Sequence, residues 1–305
     1  MSPERPKPNE VAVISGKGGT GKTSITAALA VLAGNAVVAD CDVDAADLHL
    51  VLQPEVKETR EFVSGHEAVV RELDCRGCGL CQDYCRYDAV VETTAADGRK
   101  VFRVDPAACE GCGVCVRFCP VKAIDFPESH CGQWYISAAR SGPMVHARLA
   151  PGAENSGKLV SRVRESAREQ AETAGSPLVL VDGPPGIGCP VIAAVTGTKL
   201  VLVVVEPTLS GEHDMDRVLG LARHFNISAA VCVNKWDINP EIAQRIEDAA
   251  RERGAEPLGR VAFDAAVTRA QVRGHTVVDE GGQAAEDIRK LWERLRERID
   301  LEKGS

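Results

Sequence analysis

The chain has 305 residues, 44% hydrophobic and 26% charged, enough for one large α/β domain plus a small module. Its net charge of −8 argues against a nucleic-acid or anionic-lipid binder, so no nucleic acid is expected as a partner. The charged, Pro-rich start "MSPERPKPNE" has no apolar signal core, and no run approaches the roughly 20 apolar residues of a membrane span, so a cytoplasmic protein without stable membrane insertion is expected.

"VAVIS" (11–15) predicts a buried strand, followed by "GKGGTGKT" from Gly16 to Thr23 and the apolar helix "SITAALAVLA". The loop fits G-x-x-x-x-G-K-[ST] between a strand and a helix, the context that identifies a P-loop. Gly16, Gly18, Gly19 and Gly21, with Lys17, Thr20 and Ser24, place backbone N–H groups around phosphate oxygens at a helix N-terminus. Lys22 is expected at the β/γ-phosphates and the Thr23 hydroxyl on Mg²⁺. "AVVAD" (36–40) is the next strand.

Two cysteine runs follow, "LDCRGCGLCQDYCRYDAV" from Leu73 and "AACEGCGVCVRFCPVKAI" from Ala107. In a reducing compartment twelve cysteines point to metal ligation or catalysis, and eight of them lie between Cys75 and Cys119. Both runs are C-x₂-C-x₂-C-x₃-C, the bacterial ferredoxin spacing, in which the fourth cysteine ligates the other cluster. One [4Fe–4S] cluster would then take Cys75, Cys78, Cys81 and Cys119. The other would take Cys109, Cys112, Cys115 and Cys85. Pro120 follows the second run as that motif expects, whereas Arg86 stands at the equivalent place in the first. Zinc is the rival, but structural zinc sites usually separate their C-x₂-C knuckles by a longer spacer.

Beyond the runs, 141–157 is rich in Gly, Pro and Ser and reads as an irregular connection. Helical stretches at 158–173 and 213–225 alternate with "PLVLVD" (177–182), "KLVLVVVEP" (199–207) and "AAVCVNK" (229–235). Near-continuous apolar strands alternating with helices predict a mostly parallel sheet with helices on both faces. The last stretch, 284–301, is amphipathic with a polar face of mixed sign, which favours packing on its own sheet over membrane binding. Cys41 and Cys232 read as core residues. Cys189 is also expected to be a packing residue, while Cys131 is left without a role.

"KGGTGKT" resembles the deviant P-loop of the MinD/ParA/nitrogenase-iron-protein superfamily, CbiA-like ATPases in which the extra lysine, here Lys17, reaches a partner's nucleotide across a dimer. "VVADCDVDAADLH" resembles its first switch, which implies that Asp42 orients the attacking water. "VLVDGPPGIGCPVIA" resembles its Walker B strand and second switch, which implies that Asp182 reaches Mg²⁺. "VCVNKWD" places Asn234 where the family contacts adenine, although N-K-x-D is also how GTPases read guanine. The match is nearest to MinD-like ATPases carrying an inserted ferredoxin domain, with "ENSGKLV" (154–160) and "AFDAAVTRAQVRG" (262–274) included. Asp47 stands where relatives usually have asparagine.

The resemblance implies a P-loop NTPase fold of the MinD-like class in two parts, 1–71 and 128–305, around a small α+β bacterial-ferredoxin-like domain at 72–127. It implies ATP or ADP with Mg²⁺ and two [4Fe–4S] clusters. Partners would be a second copy or a related ATPase, plus a redox partner or client iron–sulfur protein. Three functions fit: an ATPase coupled to electron transfer, an Mrp-like cluster carrier, or a spatial-organising ATPase whose clusters are structural or redox-sensing. The carrier reading lacks the C-x-x-C those proteins usually bear near the end of the ATPase domain.

Overall fold

The structure, a computed structural model, describes residues 7–150 and 156–301, without the side chains of Asp300 and Leu301. Most of the Pro-rich start, and 151–155 of the connection expected at 141–157, lie outside the described residues.

The chain opens with β1 (Asn9–Ser15), α1 (Lys22–Ala33), β2 (Ala36–Asp40), the short α2 (Leu48–Leu52) and the long β3 (Glu55–His66). There follow β4 (Val69–Val70), α3 (Leu80–Asp83), β5 (Val90–Thr94), β6 (Lys100–Val104), α4 (Val114–Phe118), β7 (Ile124–Asp125), β8 (Glu128–Ala139) and β9 (Gly142–Leu149). The remainder alternates: α5 (Ser156–Ala174), β10 (Leu178–Pro185), α6 (Cys189–Val195), β11 (Leu200–Val205), α7 (Leu209–His224), β12 (Ser228–Asn234), α8 (Pro240–Glu252) and β13 (Glu256–Val261). Three helices close it, α9 (Ala265–Val272), α10 (Val277–Glu280) and α11 (Gln283–Leu301).

Nine strands form one sheet in the order β13-β12-β11-β1-β10-β2-β9-β8-β3. The pairs from β13 to β9 run parallel. Every residue of β2 and β11 is buried, so these strands carry Val, Leu and Ala on both faces instead of alternating with polar residues. β1 lies between β10 and β11, with α1 on its carboxyl end, so the strand ends bearing Ser15 and Asn234 open on one crevice, with Asp40 and Asp182 buried behind it. α11 buries Ala284, Ala285, Ile288, Leu291, Leu295 and Ile299 in the core cluster around α1 and β1. Its apolar face is therefore occupied, and no helix among the described residues is long and apolar enough to cross a membrane.

The stretch expected to be irregular from 141 corrects to a strand over its first half. β9 pairs with β2 through Val38↔Met144 and Ala39↔Val145. Gly142 is what conceals it: its φ is +126°, and a Cβ there would lie 2.4 Å from Ala36 O, so the residue that reads as a loop former is the one that lets two backbones meet.

The chain divides into two compact units. Among the described residues the first holds those up to Arg60, Trp134–Arg148 and those from Ser156 onward; the second holds Glu61–Gln133 and Leu149–Ala150. The division falls inside β3 and β8, outside the expected boundaries at 72 and 127, because those twelve-residue strands each continue beyond the cysteine runs. The second unit has two small antiparallel ladders, β4–β7 and β5–β6, around Ala68, Cys81, Val90, Phe102 and Ile124.

Candidate functional site

The loop after β1 delivers Lys22 to the first turn of α1. Two of its glycines have a steric reason. Gly21 has φ +84° and a Cβ there would lie 2.3 Å from Asn234 Nδ2, while a Cβ on Gly16 would lie 2.2 Å from Asp214 Cβ. Lys22 is buried; its Nζ donates to Asp182 Oδ1 at 3.0 Å and stands 3.6 Å from Asp42 Oδ2. Asp182 also accepts from Thr23 Oγ1 at 2.8 Å and from Thr26 Oγ1 at 3.0 Å. Lys22, Thr23, Asp42 and Asp182 thus meet in one cluster. Thr26 belongs to no motif and reads in the sequence as an ordinary helix residue.

Asp40 pairs in register with Asp182 on the neighbouring strand and is fully buried. Its Oδ1 accepts from Asp42 N at 3.3 Å, and its Oδ2 has no partner among the described residues. Burial, with the charge of Asp182 next, pushes the Asp40 carboxyl well above the usual range. Burial likewise raises Asp42, against the pull of Lys22. Burial alone would lower the Lys22 ammonium, but Asp182 and then Asp42 outweigh it, and the net shift is upward. Three carboxylates surround one ammonium, and the Thr23 hydroxyl and Asp182 carboxylate, 2.8 Å apart, are the pair that suits Mg²⁺, a cation that takes one or two protein ligands and keeps its waters.

This cluster borders a cavity of about 580 Å³. Gly18–Ile25 form one wall; Asn234, Lys235, Phe263, Asp264 and Gln271 contribute to the other. Asn234 Nδ2 donates to Thr20 O at 2.7 Å, which fixes the asparagine against the loop. Asp237, the last residue of "NKWD", accepts from Phe263 N at 2.7 Å through Oδ1 and is not part of the cavity wall. Phe263, Asp264 and Gln271 have no motif of their own. The sequence signal for them is the family resemblance of 262–274, which carries no residue roles.

Lys17 stands apart from the Lys22 cluster. Its Nζ donates to Ser210 Oγ at 3.3 Å and lies 3.9 Å from Glu206 Oε2. Glu206 also accepts from Lys235 Nζ at 2.5 Å. Asp47 is exposed at the start of α2 and its side chain makes no cap there.

In the second unit Cys75, Cys78, Cys81 and Cys119 line one small cavity, backed by Phe102 and Ile124. The two chain segments approach through glycine: Gly77 has φ +68°, and a Cβ there would lie 2.4 Å from Lys100 O. Ala123 N donates to Cys119 Sγ at 3.2 Å. Burial pushes the Cys81 thiol up to about 11, the neighbouring Cys75 and Cys78 adding to it. The second run repeats this loop. Gly111 has φ +61° with a Cβ position 2.3 Å from His66 O, and left-handed Gly113 begins α4 as Gly79 begins α3. Cys85, Cys109 and Cys115 pack against the unit's core, whereas Cys112 is exposed. No group of three or more His, Cys, Asp or Glu among the described residues is arranged to hold a single metal ion. Cys41, Cys131 and Cys232 are buried, whereas Cys189, expected to be a packing residue, is exposed at the start of α6, where its side chain faces away from the core.

Residues 11–277 match the model of the CobQ/CobB/MinD/ParA nucleotide binding domain. The chain is 32% identical over 294 residues to the uncharacterized protein MJ0578 of Methanocaldococcus jannaschii, covering 95% of this chain and 97% of that protein. It is 24% identical to MJ0579 of the same organism over 75% of this chain and 81% of the relative. Among solved structures, the cell division ATPase MinD of Pyrococcus furiosus superposes with a TM-score of 0.55 at 18% identity, covering 95% of this chain and 98% of that one. MinD of Pyrococcus horikoshii complexed with Mg-ADP gives the same score and identity, over 97% of each chain. These likenesses concern the fold.

Proposed function

The chain belongs to the CobQ/CobB/MinD/ParA nucleotide-binding family, and from that premise we propose that it binds and hydrolyses Mg-ATP as a dimer and couples this to electron transfer through two [4Fe–4S] clusters. The observation that carries the nucleotide half is the Lys22–Asp182–Thr23–Asp42 cluster at the edge of the 580 Å³ cavity. Gly16–Ser24 wrap the phosphates, and Lys22 meets the β/γ-phosphate charge. Thr23 and Asp182 would hold Mg²⁺, which neutralises phosphate charge when bound. Asp42 orients the attacking water. Lys17 serves the nucleotide of a partner subunit, a role in keeping with its distance from its own Lys22 cluster.

Asn234 faces the base. Adenine is favoured because Asp237, the carboxylate that would grip guanine's ring N–H and amine, is not among the residues that line the cavity.

For the second unit the supporting observation is that Cys75, Cys78, Cys81 and Cys119 surround one cavity although 119 is remote in sequence. Four thiols from two loops suit the four corners of a cubane, with Cys109, Cys112, Cys115 and Cys85 as the matching set. When bound, such clusters supply one-electron carriers. What this chain contributes is an apolar wall of Phe102 and Ile124 and the Ala123 N–H, which donates to the Cys119 sulfur and would offset part of its charge as a ligating thiolate.

Anaerobically purified protein should contain about eight iron and about eight sulfide per chain and hydrolyse ATP in a Mg²⁺-dependent way. Stoichiometric zinc without sulfide would remove the electron-transfer half. Absence of nucleotide binding would remove the other.

A further inference from the structure

Two exposed rings stack in the second unit. Tyr84 and Phe118 lie with centroids 4.4 Å apart and planes 20° from parallel, yet remain 47% and 46% exposed. Tyr87 and Val121, close by in sequence, are exposed as well. Each stacked ring directly precedes a fourth cysteine of its run, Cys85 or Cys119. Solvent-facing aromatic area of this kind is enriched where proteins dock.

The charges around it are unevenly distributed. Glu61–Gln133 carries twelve Asp and Glu against eight Lys and Arg, an acidic module. Four of its cations are ion-paired within the module: Arg71 with Asp74 and Asp125, Arg99 with Asp97, Lys100 with Glu92, and Arg103 with Glu72. The other four, Arg76, Arg86, Arg117 and Lys122, have no ion pair among the described residues. Three of them lie close in sequence to the stacked rings, Arg86 two residues beyond Tyr84, and Arg117 and Lys122 flanking Phe118–Val121. The fourth, Arg76, lines a cavity with Val121. The two acids on these stretches, Asp83 and Asp88, leave the cations in excess.

We infer that this face docks a small acidic one-electron carrier protein, its aromatic centre providing contact area and its unpaired cations providing steering. The inference rests on the cluster reading above. The carrier gives up one electron and the chain takes it up, with no bond or proton changing hands. A single-stranded nucleic acid would also suit rings and cations, but the surrounding module is acidic and four cations are few for a phosphate chain.

The test uses the full chain, prepared anaerobically, and a fluorescently labelled acidic flavodoxin as the probe. Fluorescence anisotropy should show binding that weakens as salt rises from about 50 to about 300 mM, a span over which surface charge is progressively screened. Arg117→Glu combined with Lys122→Asp should weaken it at least about tenfold, Asp being chosen because Lys122 has φ +53°. Iron content and Mg-ATP binding should not change in this variant. Reduction of the chain by flavodoxin hydroquinone should slow in parallel, while reduction by methyl viologen radical should not. Flavodoxin binding that is absent, indifferent to salt or unaltered in the variant overturns the inference, as does a labelled oligothymidine binding through the same two cations. Iron-free protein that still binds flavodoxin through Arg117 and Lys122 would keep the docking face and sink the cluster reading. Iron-loaded protein that ignores flavodoxin would do the reverse.

Discussion

Lys17 and Lys22 sit on one loop and answer to different neighbours. Lys22 is buried against Asp182 and Asp42, while Lys17 is partly exposed and reaches Ser210 and Glu206. Lys22→Ala should therefore lose tight Mg-ATP binding, since no other side chain of the cluster carries a positive charge. Lys17→Ala should bind nucleotide normally but fail to hydrolyse it or to dimerise. Titration with a fluorescent ATP analogue and light scattering separate the two, and equal loss of binding in both variants defeats the assignment. A second residue-scale prediction concerns His146. Burial, helped by His49, lowers its pKa to about 4; the ring stacks on Tyr135 at 4.9 Å and hydrogen-bonds with Ser137 Oγ at 2.9 Å. Its folded pKa lies below the unfolded value of about 6.5, so the unfolded chain takes up a proton first. The stability His146 contributes is thus fully present above pH about 6.5 and is lost as pH falls towards about 4. Urea midpoints measured across that window should fall more steeply for the native chain than for His146→Gln; parallel curves would refute it.

At the scale of elements, the P-loop, the buried strands and the last helix were legible because each has a local signature: glycine spacing, unbroken Val/Leu runs and 3.6-residue periodicity. β9 was not, because Gly142 and Pro143 punctuate a strand whose reason to exist is the non-local edge of β2. The cavity wall at Phe263–Gln271 was hidden for a related reason. It is assembled by Asp237 accepting from Phe263 N and by Gln271 donating to Ser24 Oγ at 2.8 Å, contacts between segments far apart in the chain. Eight cysteines at ferredoxin spacing were plain in the sequence, but that Cys119 shares a cavity with Cys75, Cys78 and Cys81 takes three-dimensional structure to see. α11 offers the stability test. Leu295 is fully buried in the core cluster, so Leu295→Ala should destabilise the chain by about 2–5 kcal/mol. Arg296→Ala, one residue on at an exposed position, should cost less than about 0.5 kcal/mol. Chemical denaturation reads both; a membrane-anchoring helix with a loosely held apolar face would show little difference between them.

For the whole molecule the open matter is whether nucleotide and electrons are linked. The covalent path is short: Asp42 is followed by α2 and then by β3, along which the chain passes into its second unit at Glu61. The return path, β8 and β9, leads to the strand beside β2, which ends in Asp40. The crossing within β3 thus follows Asp42 closely in sequence, and the one within β8 leads into β9, the neighbour of β2. Linkage requires that ATP bind one redox state better than the other, and it is then reciprocal. A tenfold difference in nucleotide affinity corresponds to about 1.4 kcal/mol, or about 59 mV for a one-electron change. Anaerobic redox titrations of apo, ADP-bound and ATP-analogue-bound protein should show one potential displaced by tens of millivolts with the analogue. Reduced and oxidised protein should differ in analogue affinity by the matching factor. Identical potentials in all three states, with equal affinities, would leave the cysteine-bearing unit as independent cargo on an ATPase and return the carrier and structural readings to the front.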